Sequence, residues 1–160
     1  MEFGSAQEAE AAFYAAFQMS DLEAMMLVWD EHEAVCIHPF GERIEGKSAI
    51  GQSWQAIFAH DVQLRFTLSD LWVFSGDSHA IHLVRENISV DESDGVKTMV
   101  VLATNAYQRA DDGWRMILHH ASPAPADSMS SPMPDSTEIS GAAISPAKPA
   151  KKAPMPNMIV

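Results

Sequence analysis

The chain of 160 residues is long enough for one domain with a buried core and too short for two of ordinary size. Its hydrophobic fraction of 47% suits a globular protein, and its net charge of −12 is carried by the first 126 residues, where 19 acidic side chains face 7 Lys and Arg. So acidic a domain is repelled by phosphate backbones and anionic lipid, which argues against nucleic acid and membrane as partners.

In chain order, Met1-Glu2-Phe3-Gly4-Ser5 lacks the basic-then-apolar layout of a signal peptide. No apolar run approaches membrane-spanning length, so a cytoplasmic location is expected. Ser5-Ala6-Gln7-Glu8 fits a capping box, and Ala9, Ala12, Phe13, Ala16 and Phe17 follow at the spacing of one buried helical face. Tyr14 falls off that stripe and is expected to point elsewhere. Ser20-Asp21-Leu22-Glu23 repeats the capping-box pattern and predicts a second helix carrying Leu22, Met25, Met26 and Trp29. Asp30 to Glu33 is a polar connection with His32 in solvent. Val35-Cys36-Ile37 is an apolar β-type run that ends in His38, after which Pro39 and Gly41 turn the backbone. A titratable group at a strand end, backed by an apolar shell, is where a pocket places its chemistry. Cys36 is the one cysteine, which excludes an intrachain disulfide and gives no sign of an oxidising compartment. Gly41 to Gly46 reads as a glycine-bracketed turn. A third helix follows with Ile50, Trp54, Ile57 and Phe58 on one side, ending near His60-Asp61.

Beyond it the period changes from helical to two. Leu64, Phe66 and Leu68 begin a long strand that runs to Phe74 with a bend near Ser69-Asp70. Ala80 to Val90, Val96 to Arg109 and Trp114 to Ala121 read as three more strands, joined by polar turns. Helices first and an antiparallel meander second predict an α+β domain over residues 1–125. Residues 126–160 are rich in Ser, Pro, Ala and Met and predict a disordered tail. Its apolar end, Asn157 to Val160, reads either as a docking peptide for a protein partner or as an end with no specific role.

The His-Pro-x-Gly turn at His38 to Gly41, the run Gly46 to Ile50, Ser20-Asp21-Leu22, and the closing stretch from Asp112-Gly113-Trp114 through His119-His120 to Pro123 resemble the nuclear transport factor 2-like superfamily. Its SnoaL-like, ketosteroid isomerase-like branch is the nearest in pattern, over about Ala6 to Pro125. The resemblance implies a cone-shaped fold. Three N-terminal helices would pack in a curved, mostly antiparallel sheet around a small-molecule pocket, and the domain would form a homodimer through the sheet. The superfamily holds isomerases, dehydratases, epoxide hydrolases, polyketide cyclases and non-catalytic association domains, so the fold alone leaves function open.

By the same resemblance, His38 stands where ketosteroid isomerases hold their aspartate base, and Asn105 where they hold an oxyanion-binding acid. Imidazole carries protons near neutrality and an amide N–H donates to an oxyanion, so both substitutions keep some of the chemistry. The isomerases' tyrosine has Phe13 as its counterpart, with no hydroxyl, which argues against a steroid-type isomerase. His119 and His120 should project to opposite faces of the last strand, and the family position favours His120 in the pocket, with Trp114, Met116 and Leu118 on its face. Arg85, flanked by Ile81 and Leu83 on its own face, is a candidate anchor for a substrate carboxylate or else pairs with an acid. Cys36 should share a face with His38 but stand about 6–7 Å away, too far for a Cys–His dyad, which makes it a pocket or core hydrophobe. Trp54 and Tyr107 complete the expected wall. His38, His82 and His120 have no metal-ligand spacing, and neither metal nor cofactor is expected. Two functions fit: a cofactor-independent isomerase, dehydratase or cyclase with His38 as general acid or base, or a non-catalytic association or ligand-sensing domain.

Overall fold

The computed structural model describes residues 2–59, 64–92 and 95–125. The expected C-terminal tail, the predicted helix end at His60-Asp61 and the middle of the 91–95 connection lie outside these residues. Three helices, α1 (Ala6–Met19), α2 (Leu22–Val28) and α3 (Lys47–Phe58), accompany six strands: β1 (Val35–Ile37), β2 (Arg43–Glu45), β3 (Leu64–Ser75), β4 (His79–Glu92), β5 (Gly95–Ala110) and β6 (Gly113–Pro123). The sheet order is β2-β1-β6-β5-β4-β3, antiparallel except where β1 runs parallel to β6. No helix among the described residues is long and apolar enough to cross a membrane.

Local chemistry sets the helix boundaries. Ser5 caps α1, its Oγ accepting from Glu8 N at 3.1 Å, while Glu8 Oε2 accepts from Gly4 N at 2.8 Å. The second cap differs from expectation. Asp21, not Ser20, is the N-cap of α2, its Oδ1 accepting from Ala24 N at 2.9 Å. Ser20 instead ends α1 in the left-handed region at φ 52°, which folds the two helices into a corner. Arg43 to Glu45, expected as a turn, pairs with β1 as a short edge strand.

The four long strands wrap the helices. Trp29, Trp54, Phe13, Met25 and Ile50 are fully buried between the helices and the inner sheet face. Two irregularities bend the sheet. In β3 the register slips between Ser69 and Trp72, with Asp70 at φ 49°. In β6, Leu118 pairs with Ala106 but Met116 pairs with Tyr107, leaving Ile117 as an extra residue. The β5–β6 turn needs a glycine: Gly113 has φ 107°, and a side chain there would meet the backbone oxygen of Phe3 at 2.7 Å.

Candidate functional site

Between α3, the end of α1 and the inner faces of β4, β5 and β6 lies a cavity of about 450 Å³. Phe17, Trp54, Ile57 and Ile88 give it apolar walls, and His38, Glu86, His119, Lys97 and Thr98 are its polar lining. A second cleft of about 490 Å³, near Asp30 and the β5–β6 turn, is lined by charges already paired with one another, Lys47 with Glu31 and Arg115 with Asp112. The first combines largely apolar walls with the buried titratable groups Glu86 and His119, the usual make-up of a small-molecule site.

Glu86 reaches the cavity because Ala80, His82, Val84, Glu86 and Ile88 alternate inward along β4. Its Oε1 accepts from the Tyr14 hydroxyl at 2.7 Å. Burial raises its pKa to about 7. The Tyr14 hydrogen bond pulls the other way, and the Glu10 carboxylate adds to the rise. Tyr14 accepts in turn from Asn105 Nδ2 at 3.1 Å, and the same amide nitrogen lies 3.4 Å from Glu10 Oε2. With both of its contacts demanding a donor, that atom is the amide nitrogen, and Asn105 Oδ1 is left as the acceptor for His119 Nδ1 at 2.7 Å. His119 therefore carries its hydrogen on Nδ1 and a lone pair on Nε2. Burial, with smaller contributions from His38 and His120, lowers its pKa to about 3 and keeps it neutral. Behind the network, Glu10 Oε2 also accepts from His82 Nδ1 at 2.9 Å and from the Tyr107 hydroxyl at 3.3 Å.

His38 lies at the rim, with Nε2 2.6 Å from Ser53 Oγ and its ring edge-on to Trp54 at 4.9 Å. Burial lowers its pKa as well. Cys36 Sγ stands 3.7 Å from His38 Nε2 and 3.9 Å from Nδ1, closer than strand spacing implies. The reason is local: β1 ends at Ile37, and the turn closed by Gly41 N donating to His38 O at 2.9 Å folds the ring back over the sulfur. The thiol, pushed up to about 12 by burial, is no thiolate near neutral pH.

The residues expected at the pocket separate into three groups. His38 and Trp54 line the cavity. Phe13, Cys36, Asn105 and Tyr107 are fully buried behind its wall rather than in it, with Asn105 holding His119 and Tyr14. Arg85 and His120 are on the opposite, outer face, where both border a shallower pocket of about 310 Å³. His119, not His120, is the inward histidine, because the extra residue Ile117 reverses the alternation that would have put Met116 and His120 on one face. Glu86 and Glu10 were not among the expected site residues, and Tyr14 and His119 were expected to point away from the pocket. Glu86 left one trace, a charge on the same period-two row as Val84 and Ile88. Tyr14 left another, as the i+4 neighbour of Glu10 on α1. Tyr14 is buried, contrary to expectation, because α1 is clasped over roughly 160° of its surface, from Ala16 round to Tyr14. Among the described residues no three His, Cys, Asp or Glu side chains group as a metal site.

Residues 7–127 match the SnoaL-like domain. The F-box protein SKIP8 of Arabidopsis thaliana is 27% identical over 120 residues, 69% of this chain, which spans 46% of that protein's length. A Thiobacillus denitrificans structure, provisionally described as a calcium/calmodulin-dependent protein kinase type II association domain, is 35% identical with a TM-score of 0.72, over 78% of this chain and 99% of that one. A Streptomyces avermitilis protein of the NTF2-like family, provisionally described as a dehydratase, is 30% identical with a TM-score of 0.68, over 74% and 92%. The cone of helices clasped by a bent sheet, the cavity at its open side and these matches agree: the chain belongs to the SnoaL-like family of the nuclear transport factor 2-like superfamily.

Proposed function

We propose that the domain binds a small, mainly apolar carbonyl compound and moves a proton on it without a cofactor, as an isomerase, dehydratase or cyclase does. The observation that carries this is Glu86, a carboxyl in the cavity wall with a pKa of about 7 and one oxygen held by Tyr14. A general base works best when its pKa lies near the working pH. As a carboxylate, Glu86 takes a proton from the carbon beside the substrate carbonyl, and the C–H electron pair passes towards the carbonyl oxygen. The carboxylic acid so formed returns that proton to another carbon in an isomerisation or to a departing hydroxyl in a dehydration. His119 Nε2 accepts from a substrate hydroxyl. His38, at the rim, is a second neutral acid–base group rather than the principal one. Arg85 and His120 take no part from the outer face.

The test uses 2-tetralone, whose protons next to the carbonyl exchange with D₂O and are followed by ¹H NMR. Wild type should accelerate exchange and Glu86→Gln should lower that catalysis by about 10²–10⁴. Undiminished exchange in Glu86→Gln would overturn the assignment.

A second reading, self-association, has its own support. On the outer face Trp72 pairs in register with Leu83, and Phe74 with Ile81, and all four are exposed. Leu102 extends that apolar face, and contiguous exposed apolar side chains mark interaction surfaces. The likeness to the Thiobacillus association domain supports a homodimer built on it. The two readings are compatible, because the cavity opens on the other face.

A further inference from the structure

Strand parity places a cation in the cavity wall. On β5 the buried residues Val101, Ala103, Asn105 and Tyr107 alternate inward, and the same row continues through Met99 to Lys97. The register agrees: Val101 pairs with Glu86, Met99 with Ile88 and Lys97 with Val90, and all of these but Val101 line the cavity. Among the described lining residues Lys97 is the single lysine or arginine, in a strongly acidic domain. It stands four residues along β5 from the position opposite Glu86, about 13 Å at ordinary strand rise, with Ile88 and Met99 between. The two ends differ in character. Glu86 and His119 are buried, whereas Lys97 is exposed, so its ammonium keeps its water at the mouth. His38 at the rim is held towards its neutral form by burial, which leaves Lys97 as the positive charge a ligand meets there. The cavity thus has an acid–base pair at its inner end, an apolar middle and a cation at its opening.

We propose that Lys97 is an anion subsite at the mouth of the cavity, so that the preferred ligand is an elongated carbonyl compound with a carboxylate at the end away from Glu86. This rests on reading the cavity as a small-molecule site and adds the charge that orients the ligand. The ketone end lies against Glu86 and His119, the apolar body against Ile88 and Met99, and the carboxylate oxygens accept from the Lys97 ammonium. A lysine is a point charge on a flexible stem, so the subsite reads charge and tolerates some variation in ligand length.

The test compares 6-acetyl-2-naphthoic acid with 6-acetyl-2-naphthamide, which are equal in heavy atoms, share the ketone and differ in charge at neutral pH. Isothermal titration calorimetry of the full chain should show the acid binding more tightly, by a margin that shrinks as salt is raised. Lys97→Met should weaken the acid about fivefold and the amide less than about twofold, as expected for one partly exposed ion pair, and Lys97→Arg should keep the acid's affinity. Equal binding of acid and amide to the wild type, or a preference for the acid that survives Lys97→Met, would overturn the subsite and leave the cavity reading standing. Failure of both compounds to bind would overturn the two together. The wild-type comparison and its salt dependence stand even if a variant fails to fold. Glu86→Gln separates the two claims, since it should lower 2-tetralone exchange while leaving the preference for the acid intact.

Discussion

Glu86 and His119 share one wall of the cavity, and burial pushes each towards its uncharged form. For Glu86 the folded pKa of about 7 exceeds the ordinary 4.5, so the folded state holds a proton that the unfolded chain releases, and stability falls as pH rises through that interval. His119 is the reverse, lowered from 6.5 to about 3, so stability falls as pH drops below 6.5. Between pH 4.5 and 6.5 the two slopes oppose each other, and the wild-type profile should be flat there. Glu86→Gln keeps an acceptor for Tyr14 and removes the buried charge. It should stabilise the fold by on the order of 3 kcal/mol at pH 8 and by nothing at pH 4, read from urea midpoints. A gain equal at both pH values would disprove the raised pKa. Phe40 is a second residue at odds with local preference. It occupies the third position of the His38–Gly41 turn at φ 63° and is 90% exposed, where glycine is the unstrained choice. Phe40→Gly should raise stability by about 1 kcal/mol, visible as a higher Tm.

At the scale of elements, the caps give a sharp check on how α1 meets α2. Asp21→Ala should cost about 1 kcal/mol, whereas Ser20→Gly should be neutral or stabilising, because Ser20 sits in the left-handed region and caps α1 through its backbone N–H alone. A larger loss at Ser20 than at Asp21 in thermal denaturation would reverse the assignment. These elements also show what the sequence could and could not disclose. The order of helices and strands, the Ser5 cap, and the placement of His38 and Trp54 at a cavity were legible, because each depends on a local signal: a cap, a period, a turn. The inward histidine was not, because one extra residue at Ile117 reverses strand parity and nothing in the side chains announces it. Glu86 was hidden by symmetry. The outward row of β4 holds Ile81 and Leu83 and is as apolar as the inward row, so hydrophobicity could not say which face was the interior.

For the whole molecule, that symmetry itself has a physical reading. An outer face carrying Trp72, Phe74, Ile81 and Leu83 in exposed positions is the observation behind the proposed self-association. Trp72→Glu places a charge at its centre and should convert a dimer to a monomer in sedimentation velocity while leaving the 2-tetralone reaction intact. A monomeric wild type at micromolar concentration would remove the self-association reading without touching the cavity.

The proposed chemistry stands on a carboxyl group in the cavity wall that is poised between its two charge states at neutral pH. ¹³C NMR titration of the glutamate side-chain carboxyls measures it directly. One resonance should titrate near pH 7 and vanish in Glu86→Gln. If every glutamate in the wild type titrated below pH 5, the Glu86 account would be contradicted.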